Sequence, residues 1–154
     1  MEYASIEREI RIEAPPEVVF EVVSRPEHVR EWWTAESDVA PTPGATGELV
    51  WSEGDDPRAQ VSQMTVVVAE PPRLFTFRWT HPAGEAAVDG NSMLVTFELV
   101  PDGSGTLLKM TETGFRERGW EAAVLEQHYA DHVEGWDLYV PRIASYAERL
   151  VSAP

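Results

Sequence analysis

The chain of 154 residues carries 27 acidic against 12 basic side chains, a net charge of −15, with 43% hydrophobic residues. A phosphate backbone needs basic side chains to displace its counterions, so this balance excludes direct nucleic-acid binding and disfavours anionic membrane surfaces. There are no cysteines, which removes disulfides, thiolate metal sites and a thiol nucleophile and fits a reducing cytoplasm. No apolar stretch approaches a membrane span, and Met1–Ser5 has neither a basic flank nor an apolar run, so no secretory signal and no membrane insertion are expected. The length suits one domain over residues 1–154.

Residues 5–13 alternate, with Ile6, Ile10 and Ile12 on one side, and predict a half-buried strand. Ala14-Pro15-Pro16 stops it, and Pro16-Glu17 suits the first turn of a helix whose apolar face is Val18, Val19, Val22 and Val23. Ser24-Arg25-Pro26 breaks that helix, and Glu27 to Trp33 reads as a second short one. From Ala35 to Thr113 the punctuation is that of a meander. Turn signals fall at Pro43-Gly44, Gly54-Asp55-Asp56-Pro57, Pro71-Pro72, Asp89-Gly90 and Pro101–Gly105. Between them lie strands predicted at 48–51, 60–69, 74–80, 93–100 and 106–113, with a weaker one at 37–40.

After Gly119 the apolar residues Leu125, Tyr129, Val133, Trp136, Val140, Ile143, Ala147 and Leu150 recur at steps of four or three. That is one face of a long helix, since no strand presents those residues together. Pro141 interrupts the helix without breaking the phase of the stripe, which predicts a kink. The whole is an α+β architecture: a curved antiparallel sheet, two short helices and a long C-terminal helix enclosing a cavity.

This order resembles the helix-grip fold of the START-like superfamily, and within it the bacterial relatives of the activator of the heat-shock protein 90 ATPase. The resemblance rests on Ile10–Phe20, Arg25–Trp33, Glu70–Leu74, Val95–Leu99, Gly114-Phe115 and His132–Trp136, which follow the family's order over nearly the whole chain. It implies an apolar cavity between sheet and helix. The superfamily spans lipid carriers, hormone receptors, aromatic polyketide cyclases and co-chaperone domains, so the fold alone names no function. It also admits a homodimer and a chaperone partner.

Trp33, Trp51, Phe75, Phe77, Trp79, Met93, Phe97, Met110 and Trp136 fall at inward positions. As a set they line a mostly apolar site for a small apolar or aromatic ligand; singly, each also serves as plain core. Glu112 shares the phase of Leu108 and Met110, which makes it the one candidate catalytic acid. On that reading Glu112→Gln abolishes turnover and leaves folding intact. His128 and His132 share a helix side, but His-Tyr-Ala-Asp-His lacks the glutamate of a zinc-protease motif and no third ligand is evident, so no metal site is expected. His132 reaches the cavity edge beside Trp136. The glycines supply turns and form no phosphate-cradling loop, no nucleophile elbow is present, and no cofactor is expected. The readings are therefore ligand binding in the cavity, a cyclase-like proton transfer using Glu112, or a co-chaperone-like interaction module.

Overall fold

In the computed structural model, which describes residues 4–51 and 60–152, the first alternating segment is strand β1 (Ser5–Ile12). Helix α1 (Pro16–Ser24) follows, with proline in the first turn, where its missing N–H has no helical acceptor to lose. Helix α2 (Pro26–Trp33) begins the same way and ends at Thr34, whose φ of 58° is left-handed. The Trp32 indole ties the two helices together by donating to the Val22 carbonyl at 2.7 Å inside the core.

Six strands come next: β2 (Glu36–Ser37), β3 (Thr46–Trp51), β4 (Gln60–Glu70), β5 (Leu74–His81), β6 (Met93–Asp102) and β7 (Gly105–Thr113). They join β1 in a seven-stranded antiparallel sheet of order β1-β7-β6-β5-β4-β3-β2. The strand expected at 37–40 stops after Ser37, because the Ser37 hydroxyl accepts the Val39 N–H at 3.1 Å and diverts the backbone from the ladder. The turn read at Gly54–Pro57 lies outside the described residues.

Alternation places Met93, Val95, Phe97 and Leu99 of β6, and Leu108, Met110 and Glu112 of β7, on the buried face. On the opposite face Lys109 lies 3.9 Å from Glu9. Arg78 is half-buried, 3.9 Å from Asp89 and 3.3 Å from the Ser92 hydroxyl.

The last element, α3 (Ala122–Ser152), is one helix of 31 residues that runs through Pro141. The proline does not divide it into two helices. Val140, Ile143 and Ala144 are buried on either side of it, and their packing holds the helix across the lost hydrogen bond. The stripe ends earlier than its spacing suggests, with Leu150 39% exposed. Helix α3 lies along β1 and against α1 and α2. Tyr129 donates to the Ser5 carbonyl at 2.7 Å, and Arg8 pairs with Asp137 at 2.7 Å. No helix among the described residues is long and apolar enough to cross a membrane.

Gly114 closes β7 with φ at +111°, and a Cβ there would sit 2.8 Å from the Ser92 carbonyl oxygen. Gly114→Ala should therefore cost roughly 1–3 kcal/mol through backbone strain and overlap together. Urea unfolding of the variant checks this, and an unchanged midpoint would contradict it.

Candidate functional site

Glu112 stands at the end of β7, wholly without solvent exposure. Three hydrogen-bond partners converge on it. The Trp79 indole of β5 donates to Oε2 at 2.6 Å, the Trp136 indole of α3 donates to Oε1 at 2.8 Å, and His132 Nδ1 lies 2.7 Å from Oε1. Indole N–H groups only donate, so both carboxyl oxygens act as acceptors. The arrangement is one in which a buried carboxylate is tolerated.

Behind this hub the indoles form a single cluster. Trp32 and Trp33 stack with centroids 5.2 Å apart and planes 5° from parallel. Trp33 then contacts Trp51 at 5.3 Å, Trp79 at 5.1 Å and Trp136 at 5.5 Å. A cleft of about 1140 Å³ opens between α3 and the ends of α2, β3, β4 and β5, with Trp33, Trp51, Trp79 and Trp136 in its wall. Val61 and Leu138, 52% and 48% exposed, face it from β4 and α3. At its polar end are His128, Asp131 and His132; Arg142 also lines it, with its guanidinium 5.4 Å from the Tyr139 ring centre.

Of the residues expected at the cavity, Trp33, Trp51, Trp79, His132 and Trp136 line the cleft. Phe75, Phe77, Met93, Phe97 and Met110 do not; they are at most 1% exposed in the packed core. The space a simple helix-on-sheet reading leaves there is filled by the Trp32–Trp33 pair, with Phe97 edge-on to Trp32 at 6.3 Å. Glu112 is also absent from the cleft wall. It touches the site only through Trp79, Trp136 and His132.

Two residues not singled out in the sequence belong to the site. Thr34 and Thr80, with φ of 58° and 70°, are the non-glycine residues of positive φ among those described, and both line the cleft. A β-branched residue is strained there, and such strain concentrates at functional sites. Thr80 is the extra residue of a bulge: Met64 pairs with Trp79 while Gln63 pairs with His81. The bulge lets Trp79 keep facing the cleft while His81 meets Thr65 at 3.1 Å. Nothing in a Trp-Thr-His string signals a left-handed threonine, so the sequence carries no warning of it.

His128 stacks on Trp120, centroids 4.0 Å apart, with the Arg118 guanidinium over the same indole at 4.7 Å. Burial, then the neighbouring charge of His132, holds the His128 imidazole below its ordinary value, with Asp131 pulling the other way. Among the described residues no group of three or more His, Asp or Glu side chains is placed to hold a metal.

Residues 13–148 match the family model described as "Activator of Hsp90 ATPase homolog 1-like protein". The chain belongs to this family. That places it in the START-like superfamily, and solved structures agree on the fold. Protein MLL2253 of Mesorhizobium loti is 22% identical with a TM-score of 0.72, over 94% of this chain and 97% of that one. Protein NE0264 of Nitrosomonas europaea is 13% identical with a TM-score of 0.75, over 96% of each. CalU16 from Micromonospora echinospora is 19% identical with a TM-score of 0.65, over 93% of this chain and 65% of that one. No curated protein matches the chain. At these identities the likeness concerns fold and leaves the chemistry to the residues in the cleft.

Two outcomes follow for this family member. Glu112→Gln puts an amide NH₂ against an indole N–H, leaving one buried donor unpaired, so stability should fall by roughly 1–3 kcal/mol. This differs from the expectation that the variant folds unperturbed, and chemical denaturation decides between the two. For His128, the unfolded chain takes up its proton near 6.5 and the folded chain only at lower pH. The folded state therefore loses stability as pH falls below that value. Between pH 7.5 and 5.5, Tm should drop less in His128→Asn than in the parent; an equal drop would remove His128 from the acid response.

Proposed function

We propose that this protein binds a flat aromatic small molecule in the cleft, with His132 as the polar contact that orients it. The observation that carries this reading is the cleft wall, where four indoles meet a histidine and a solvent-open space of about 1140 Å³. Sites for small molecules combine apolar and aromatic surface with a few placed polar groups. Indole faces in particular accept flat rings by offset or edge contacts. The ionised residues Asp131 and Arg142 lie in the same wall, so the ligand has an apolar body and meets charge at its edges. Membership of the family supports a ligand-binding role at this coarse level.

Tryptophan emission supplies the test, because four of the six tryptophans line the cleft. Titration with 2-naphthol, 2-naphthoate, 2-tetralone and anthraquinone-2-sulfonate should quench the emission saturably for at least one of them. Trp51→Ala should then weaken that ligand by about tenfold, the loss of one aromatic contact of ~1–1.5 kcal/mol. Absence of saturable quenching by the entire panel would refute the reading.

A further inference from the structure

We propose that the cleft is a proton-transfer site for enolisable aryl ketones, in which His132 Nε2 is the base, Glu112 positions it and Trp33 Nε1–H receives the enolate oxygen. The proposal rests on the ligand-binding reading above and specifies its substrate class. Its starting point is the hydrogen-bond inventory around Glu112. Trp79 and Trp136 each give an N–H to the carboxylate, one to each oxygen. With both oxygens accepting from indoles, we take Glu112 as the carboxylate and assign the 2.7 Å contact to His132 Nδ1 as an Nδ1–H donating to Oε1. A neutral imidazole that carries its proton on Nδ1 presents a lone pair on Nε2.

His132 Nε2 has no hydrogen-bond partner among the described residues, yet it is not sealed without one, and the side chain is 14% exposed on the cleft wall. The ring cannot swing away. Trp79 lies against it at 5.2 Å and Phe115 meets it edge-on at 5.2 Å. A second polar atom is in the same position. The Trp33 indole N–H has no partner among the described residues and is not sealed, while the indoles of Trp32, Trp51, Trp79 and Trp136 are all engaged. Trp33 and His132 flank the same Trp79 ring, at 5.1 Å and 5.2 Å. Both residues line the cleft, so one free acceptor and one free donor belong to the same wall.

The step balances within the site. The C–H bond beside the ketone carbonyl breaks, its proton forms the N–H on His132 Nε2, and its electron pair becomes the enolate. The resulting imidazolium keeps its Nδ1–H on Glu112, whose charge it offsets. Return of that proton, or of a solvent deuteron that has exchanged with it, restores the ketone with no change of oxidation state. His128, one turn earlier, and Asp131 share the cleft wall with His132 on α3, and Arg118 lies over the Trp120 ring on which His128 stacks. His128, held neutral by burial, does not add a like charge at neutral pH.

The test follows deuterium incorporation into 2-tetralone in D₂O by proton NMR, with ketone binding read by tryptophan quenching in the same samples. The parent protein should exceed free imidazole of equal concentration by about 10²-fold. His132→Gln keeps a donor for Glu112 but no base; it should bind the ketone more weakly and, at saturating ketone, fall to the imidazole background. His132→Ala should do the same at its own saturating concentration. Trp33→Phe should lose more exchange than binding. Long-range ¹H–¹⁵N spectra of ¹⁵N-histidine protein should place the neutral His132 proton on Nδ1, and Glu112→Gln, studied below its melting transition, should shift it towards Nε2.

Binding without exchange, or equal exchange by the parent and both His132 variants, would overturn the proton-transfer proposal and leave ligand binding standing. So would quenching by 2-naphthol but not by the ketone, since the cleft would then refuse the enolisable class. An Nε2–H form in the parent would overturn the assigned base. Failure of the whole panel to quench would end both readings together.

Discussion

Taking a carboxylate out of water costs several kcal/mol, and Glu112 avoids that cost because β5 and α3 each aim an indole N–H at it. The three elements are far apart in sequence, so these hydrogen bonds exist only when strand and helix have docked in one register. A slip of one residue in β7 would turn Glu112 to the outer face and bring Thr111 or Thr113 inward. The polar contact thus specifies how α3 sits on the sheet, beyond what its apolar stripe alone selects. It also restrains Trp79, Trp136 and His132, three of the residues that form the cleft wall.

The cleft lies where the sheet departs from regularity. Trp33 is the last residue of α2, before a left-handed Thr34, and Trp79 immediately precedes the bulged Thr80. An unbroken alternation would send Trp79 and His81 to the same side of β5. The bulge separates them, leaving His81 with Thr65 and Trp79 with Glu112. Backbone strain at Thr34 and Thr80 is therefore spent on aiming aromatic side chains, a common use of irregular strand positions beside binding sites. On the proposed chemistry, Glu112 is a positioning residue and His132 is the group that meets the ligand.

Much of the architecture was legible beforehand because it depends on local periodicity. The alternation of Met93, Val95, Phe97 and Leu99 and the helical spacing of Trp136, Val140, Ile143 and Ala147 each describe one buried face, and burial follows that spacing. Pro16 and Pro26 mark helix starts through a physical effect confined to one turn. Pro141 was harder to read. A missing N–H argues for a break, whereas the packing of Val140, Ile143 and Ala144 that holds the helix together comes from α1, α2 and the sheet. Leu150 kept the phase of the stripe but lies beyond the surface that could cover it.

The chain by itself determined the strand and helix order, the inward set of aromatic residues and the phase that buries Glu112, since these follow from side-chain period and turn chemistry within short windows. Only the tertiary structure decided which inward residues are core and which are wall. Phe75, Phe77, Met93, Phe97 and Met110 are covered; Trp33 and Trp136, 3% and 2% exposed, reach the cleft only by an edge, and Trp51 and Trp79 open on it more fully. That division depends on how closely α3 approaches each strand and on the volume the stacked Trp32–Trp33 pair takes up between them. The partners of Glu112 were decided in the same way, because hydrogen bonds spanning 20 to 33 residues arise from docking and leave no trace in local sequence.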